Sequence, residues 1–190
     1  MKNLTKEQVQ AYFLLACRVL LAWTLASYGW SKLTGNQFGV SEKTLQTPLK
    51  DVDLFRLSWY LADHEPFRSF IGYSQISTAA LLLYNRTVIL GCFMSIPIWL
   101  NILVWDWTFM EGMAWAFTFR LTFYLFITFL IVYQQKEFVF PALVKITQVK
   151  PLTSSYPYWL YLTLPVAALG VELVGAIPTL LFNLIRMSRV

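Results

Sequence analysis

The chain has 190 residues, of which 57% are hydrophobic, 17% aromatic and only 13% charged, with mean hydropathy +0.55 and formal net charge +5. Soluble domains carry about 25% charged residues, so this composition excludes a disordered, collagen-like or linker-repeat chain and argues against an ordinary cytosolic domain. The apolar side chains must face lipid, and the length fits one membrane domain over residues 1–190.

The positive charge suits loops on the cytoplasmic side and anionic headgroups. No basic patch is interleaved with polar recognition residues, so nucleic acid is not an expected partner. Cys17 and Cys92 both fall in apolar runs with no C-x-x-C pair, which removes dithiol relays. One histidine, His64, cannot make a His-rich metal or haem site, so no metal and no intrinsic cofactor is expected.

A membrane span needs about 20 mostly apolar residues. Five stretches are read as transmembrane helices, and the fold class is an all-α integral membrane bundle. The first covers residues 8–33, its apolar run starting at Val9. That run is too long for a signal-peptide core and contains Arg18, so it reads as a retained span. Residues 34–66 form an outer loop in which Asp53 caps a short interfacial helix, Leu54–Ala62, with Leu54, Leu57 and Leu61 on one side. The second span is 67–84, opened by Pro66. The third, 87–107, contains Pro97 and should kink there. The fourth is 114–133. Residues 134–158 form an inner loop with Lys136, Lys145 and Lys150 around the apolar stretch 138–146. The fifth span, 159–182, has Pro165 and Pro178 near its ends. Short links make spans two to four antiparallel neighbours, and the first closes a four-helix bundle. Asn85-Arg86-Thr87 matches a glycosylation sequon, but so tight a turn on the inner face is a chance match.

Orientation follows the loop bases. With the N-terminus inside, inner segments hold Lys2, Lys6, Arg86, Lys136, Lys145 and Lys150. Outer loops hold Lys43, Lys50, Arg56 and Arg68, and the third loop has Asp106 and Glu111 with no base. That balance favours a cytoplasmic N-terminus in a bacterial inner membrane, against the pull of Arg186 and Arg189 in the tail.

Charge inside hydrocarbon is expensive and usually faces a partner or cavity. At helical spacing Arg18, Ala22, Leu25, Gly29 and Lys32 share a stripe of the first span. Arg68, Gly72, Gln75, Ala79 and Arg86 share one on the second. Met94, Pro97, Asn101 and Trp105 do so on the third, and Arg120, Tyr124, Ile131 and Gln134 on the fourth. The fifth aligns Tyr161, Pro165, Ala168, Glu172, Thr179 and Asn183. Gln75, Asn101, Asp106, Arg120 and Glu172 fall in the outer half, with Arg18 near the middle. The expectation is a polar pocket opening to the outer face, with Arg18 or Arg120 paired to Glu172 or Asp106, and Trp105 and Trp107 placed to grip a flat headgroup. A register-fixing polar network and an ion or proton path are the competing readings. His64 beside Glu65 is either a proton-exchange pair or a solvated loop histidine.

Several of these residues resemble the DoxX and DoxX-like membrane proteins. The likeness rests on Arg18 through Ser27-Tyr28-Gly29-Trp30-Ser31-Lys32-Leu33, followed by Thr34-Gly35-Asn36-Gln37-Phe38. It continues in Ile71-Gly72-Tyr73-Ser74-Gln75-Ile76, in Asn85-Arg86-Thr87, and in Ile96-Pro97 with Asn101. It covers residues 10–135, a four-helix DoxX-like unit, and leaves the fifth span as an addition. The family includes a subunit of a thiosulfate:quinone oxidoreductase, partners of redox-stress enzymes, and an assembly chaperone for membrane receptors. The resemblance therefore implies a non-cofactor-carrying subunit or partner of a quinone- or redox-linked membrane complex, with a bound quinone or lipid in place of an intrinsic cofactor. Its candidate pocket comprises Arg18, Tyr28, Lys32, Gln75, Asn101, Trp105, Asp106, Arg120, Tyr124 and Glu172. The alternative is a non-catalytic scaffold or assembly chaperone, and a small transporter is the third reading. Expected partners are the lipid bilayer, other membrane proteins or a redox enzyme, and a second copy of the chain. Catalytic residues, and whether the protein is an enzyme, stay open, because fold-level likeness does not choose a chemistry.

Overall fold

A computed structural model describes residues 5–110, 112, 114–148 and 156–187. Lys2, Glu111, Lys150 and Arg189 lie outside the described residues, as do the side chains of Asn183 and Arg186. The described chain is all-helical. Its contacts divide it into two compact units, meeting in sequence at Val144–Lys145.

In the first unit, α1 runs Lys6–Leu33 and begins with a capping box. Thr5 Oγ1 accepts the Gln8 amide at 3.3 Å while Gln8 Oε1 accepts the Thr5 amide at 2.9 Å, so two otherwise orphaned donors are satisfied. The loop after α1 contains a short helix α2, Glu42–Leu45, a single 3-10 turn at Leu49–Asp51, and α3, Leu54–Ala62. Asp53 caps α3, accepting the Arg56 amide at 2.9 Å. The remaining helices of this unit are α4, Phe67–Leu83, α5, Val88–Phe109, α6, Ala114–Gln134, and the start of α7, Lys136–Thr147. Helix α5 continues through Pro97. The second unit contains α8, Tyr158–Met187, which likewise continues through Pro165 and Pro178.

Among the described residues, four helices are long and apolar enough to cross a membrane: α1, α5, α6 over Trp115–Gln134, and α8 over Tyr158–Thr179. The second expected span falls short of that length. At 17 residues, α4 is about 26 Å long, against a hydrocarbon core of about 30 Å. It starts after Pro66 and stops at the Tyr84–Thr87 turn, where Thr87 Oγ1 donates to the Leu81 carbonyl at 2.9 Å.

Helices α1, α4, α5 and α6 close a ring, with α1 against α4 and α6, and α5 against α4 and α6. Glycines set the closest approaches. A Cβ on Gly29 would lie 2.6 Å from the Gly72 carbonyl oxygen, and one on Gly91 would lie 2.7 Å from the Leu82 amide nitrogen. No real Cβ tolerates such contacts, so backbones meet here as they do in other small-residue membrane seams. The core between the helices holds Leu21, Leu25, Leu82, Cys92, Trp99 and Leu121, among others.

Gly91→Ala should therefore lower stability by roughly 1–3 kcal/mol through overpacking. Ala80→Val, on the exposed side of α4, should change little. Thermal unfolding of the purified protein in detergent would compare the two, and equal melting temperatures would contradict this account of the seam.

Candidate functional site

The polar interior gathers where α1 ends and α4 begins. Lys32 lies in the last turn of α1, yet it is only 4% exposed. A lysine at a helix end normally extends its ammonium to water. Here the chain folds back over it. Gly35, at φ +72°, adopts the left-handed turn that ends the helix. The turn carries Gln37 and Phe38 over Lys32. Nζ donates to Gln37 Oε1 at 2.9 Å and to the Tyr28 carbonyl at 3.4 Å. It also lies 5.5 Å from the Tyr28 ring centre and 5.2 Å from that of Phe38, which offsets part of its desolvation. Phe38 meets Trp59 edge-on at 6.2 Å, and Trp59 accepts the Gly39 amide through its carbonyl at 3.4 Å. The loop is thus fastened to α3 above the lysine. Asp106 of α5 is also buried and interacts electrostatically with Lys32, without a direct ion pair between them.

Deeper in the ring is Gln75, at 1% exposed. It borders the seam, since a Cβ on Gly29 would sit 3.2 Å from Gln75 Cβ. Counting along both helices from the Leu82–Gly91 contact brings Gln75 level with Ile98 and Trp99 of the antiparallel α5. The buried hydroxyls nearby are satisfied by their own helices: Thr78 donates to Ser74 O at 2.8 Å, Ser95 to Cys92 O at 2.9 Å, and Thr128 to Tyr124 O at 2.8 Å. Among the described residues, the buried side-chain atoms without a hydrogen-bond partner are Gln75 Nε2, Gln75 Oε1 and Trp99 Nε1. Trp99 packs on Tyr124 at 5.0 Å.

The structure brings together Tyr28, Lys32 and Asp106, with Gln75 beneath them and Tyr124 against Trp99. Arg18 is not in this cluster. It is about 21 Å along α1 from Lys32 and reaches the C-terminus of α4, donating to Leu82 O at 3.1 Å, Leu83 O at 3.0 Å and Asn85 Oδ1 at 3.0 Å. Carbonyls left without helical partners attract such a cation, so these oxygens take the role expected of a carboxylate. Asn101 and Arg120 are exposed on α5 and α6. Trp105 is half-buried and packs on Phe109 at 4.9 Å. Glu172 lies in α8, in the second unit. Sequence reasoning missed Trp99, Gln37 and Phe38. Small residues were the available signal for Trp99, since Gly91, Cys92, Ser95, Trp99 and Asp106 share the buried face of α5, whereas Met94, Pro97 and Asn101 are exposed.

Two clefts lie in the loop between α1 and α4. One, of about 400 Å³, is lined by Gly39, Val40, Tyr60, Asp63, His64 and Glu65. The other, of about 340 Å³, adjoins it across Gly39 and Val40. In the first, Arg68 pairs with Asp63 at 3.0 Å and with Glu65 at 2.9 Å. His64 is exposed, with Nδ1 2.9 Å from the Tyr60 carbonyl. Hydrogen bonds from Ser69, together with the Arg68 guanidinium, hold the Glu65 carboxyl below its ordinary range.

No family model matches the chain, and no solved structure does. The uncharacterized protein YwoB of Bacillus subtilis (strain 168) is 29% identical over 113 residues, which is 59% of this chain and 70% of that protein. That likeness brings no activity with it.

Two outcomes follow from these contacts. Arg18→Leu leaves α4 carbonyls without a donor and should destabilise the protein by about 1–2 kcal/mol, read as a lower melting temperature in detergent. An unchanged value would mean that water satisfies those oxygens. Glu65 has a lowered folded-state pKa, so its contribution is present above the unfolded carboxylate range and is lost as pH falls through the folded value. Between about pH 6 and pH 3 the wild type should lose more stability than Glu65→Gln, and parallel pH curves would remove this role.

Proposed function

We propose that this chain is a DoxX-like membrane protein, a non-cofactor-carrying subunit or partner of a quinone- or redox-linked membrane complex, set in a bacterial inner membrane with its N-terminus in the cytoplasm. Its site binds the carbonyl-bearing head of a quinone or lipid at the Lys32 end of the four-helix ring. The observation that carries the reading is the buried Gln75 amide, whose donor and acceptor are both without partners. Leaving a buried polar group unpaired costs roughly 1–3 kcal/mol, and the hydroxyls on the same helices show how readily local bonds remove that cost. The amide and the Trp99 indole N–H offer donors to a carbonyl oxygen. Gln75 Oε1 offers an acceptor to a hydroxyl, as on a reduced quinone. Lys32 supplies positive charge above them, under a cover of Tyr28 and Phe38. The loop fastened through Gln37 and Trp59 is the part that would move for entry.

The scaffold alternative draws on small-residue seams as partner surfaces. Gly29, Gly72 and Gly91 are spent within the ring, against other backbone or side-chain atoms of the same chain. That weakens the scaffold route and leaves ligand binding ahead.

Organic extraction of the protein purified in mild detergent, followed by mass spectrometry, should release close to one equivalent of quinone or lipid. Gln75→Leu should fold at least as well, because replacing an unpaired amide by an apolar group of similar size is neutral or stabilising, and it should retain about tenfold less of that molecule. A clean extract from the wild type, or equal retention by the variant, would defeat the proposal.

A further inference from the structure

The second loop cleft has a chemistry that the ring site does not use. Lys43 and Arg56 line it, together with the hydroxyl-bearing Thr44 and Thr47 and the rings of Phe55 and Trp59. The carboxylates Asp63 and Glu65 line the neighbouring cleft and are tied to Arg68, so the two clefts differ in charge. Arg56 makes one long ion pair, Nε to Asp53 Oδ2 at 3.4 Å, and both side chains are more than half exposed. Pairs of that kind hold weakly, which leaves the planar guanidinium able to fork onto another oxyanion. At about 340 Å³, the cleft is at the lower end of small-ligand sites, a size suited to a glycerophosphate head.

Elsewhere in the same loop four leucines are exposed, Leu45, Leu49, Leu54 and Leu61, of which Leu45 lines the neighbouring cleft. Apolar side chains beside cations and an interfacial tryptophan mark the boundary between headgroups and acyl chains. A soluble anion would need the cations but not the leucines. We infer that this cleft is a binding site for the phosphate of an anionic phospholipid headgroup, with Lys43 and Arg56 on the phosphate oxygens and the Phe55 and Trp59 rings against its apolar part. The site is separate from the ring interior, and its occupancy does not depend on Gln75.

The test uses the full-length protein in a neutral detergent, titrated with dioctanoyl phosphatidylglycerol and followed by native mass spectrometry of the lipid-bound form. A charge-assisted contact with the phosphate contributes enough that Lys43→Gln should weaken binding about fivefold, and Lys43→Gln with Arg56→Gln about thirtyfold. Both residues are exposed, so the variants should keep wild-type helicity and elution volume. Lys50→Gln removes the same charge from the loop outside the cleft and should change binding less than twofold by the same reasoning. Equal losses from Lys43→Gln and Lys50→Gln would reduce the effect to diffuse surface charge and overturn the site. So would unchanged binding by the double variant, or binding of inorganic phosphate as tight as that of the lipid. Gln75→Leu should bind the lipid as the wild type does, which separates this result from the ring-site experiment.

Discussion

The close approach of α1 to α4 at Gly29 and Gly72 is the contact on which the rest of the first unit depends. A side chain on either glycine would meet the opposite backbone or Leu33 at less than van der Waals distance. Once that crossing is set, every other level along the pair follows from the helical rise. Gln75 comes to the seam one turn below Gly72. Leu82 and Leu83 come level with Arg18. The second glycine contact, Gly91 against Leu81 and Leu82, carries the register on to α5 and places Trp99 beside the Gln75 level. Packing of this kind is the main source of cohesion for helices in lipid, where apolar surface gains little by leaving the solvent.

The shortness of α4 has its own consequence. A helix of 17 residues beside one of 28 cannot match it end to end. Its C-terminal carbonyls therefore stop part-way along α1, level with Arg18, and lack partners within their own helix. Arg18 meets that need with three hydrogen bonds. A charge in mid-helix that reads as a binding residue is, in this fold, the cap of a neighbouring helix. At the other end, Lys32 is covered because the loop turns back at Gly35, not because α1 is deeply set. The loop supplies both a hydrogen-bond acceptor, Gln37, and an aromatic face, Phe38.

These two cations illustrate different solutions to the same cost. Arg18 is satisfied by two backbone oxygens and the Asn85 amide oxygen, none of which titrates. Lys32 is satisfied by a loop side chain, a carbonyl, two rings and a carboxylate at a distance. The second arrangement draws on loop side chains, and the unpaired amide of Gln75 lies further along the same α1–α4 seam.

The amino-acid sequence alone determined the membrane class, the positions of the long helices and of α3, and the small-residue faces of α1 and α4. In those two helices small and polar residues share one stripe, so either marker points the same way: Gly29 with Lys32, Gly72 with Gln75. On α5 the markers disagree. Asn101 pointed to one face, while Gly91, Cys92 and Ser95 lie on the other, and the packed ring buries the small residues because helix approach requires them there. On α6, Tyr124 and Ile131 of the Arg120 stripe are buried while Arg120 itself is exposed. Only the tertiary structure decided which polar groups meet, because that depends on relative helix lengths and on the level of one crossing. No periodicity within a single helix encodes the level at which another helix ends, and that level is what separates Arg18 from Lys32.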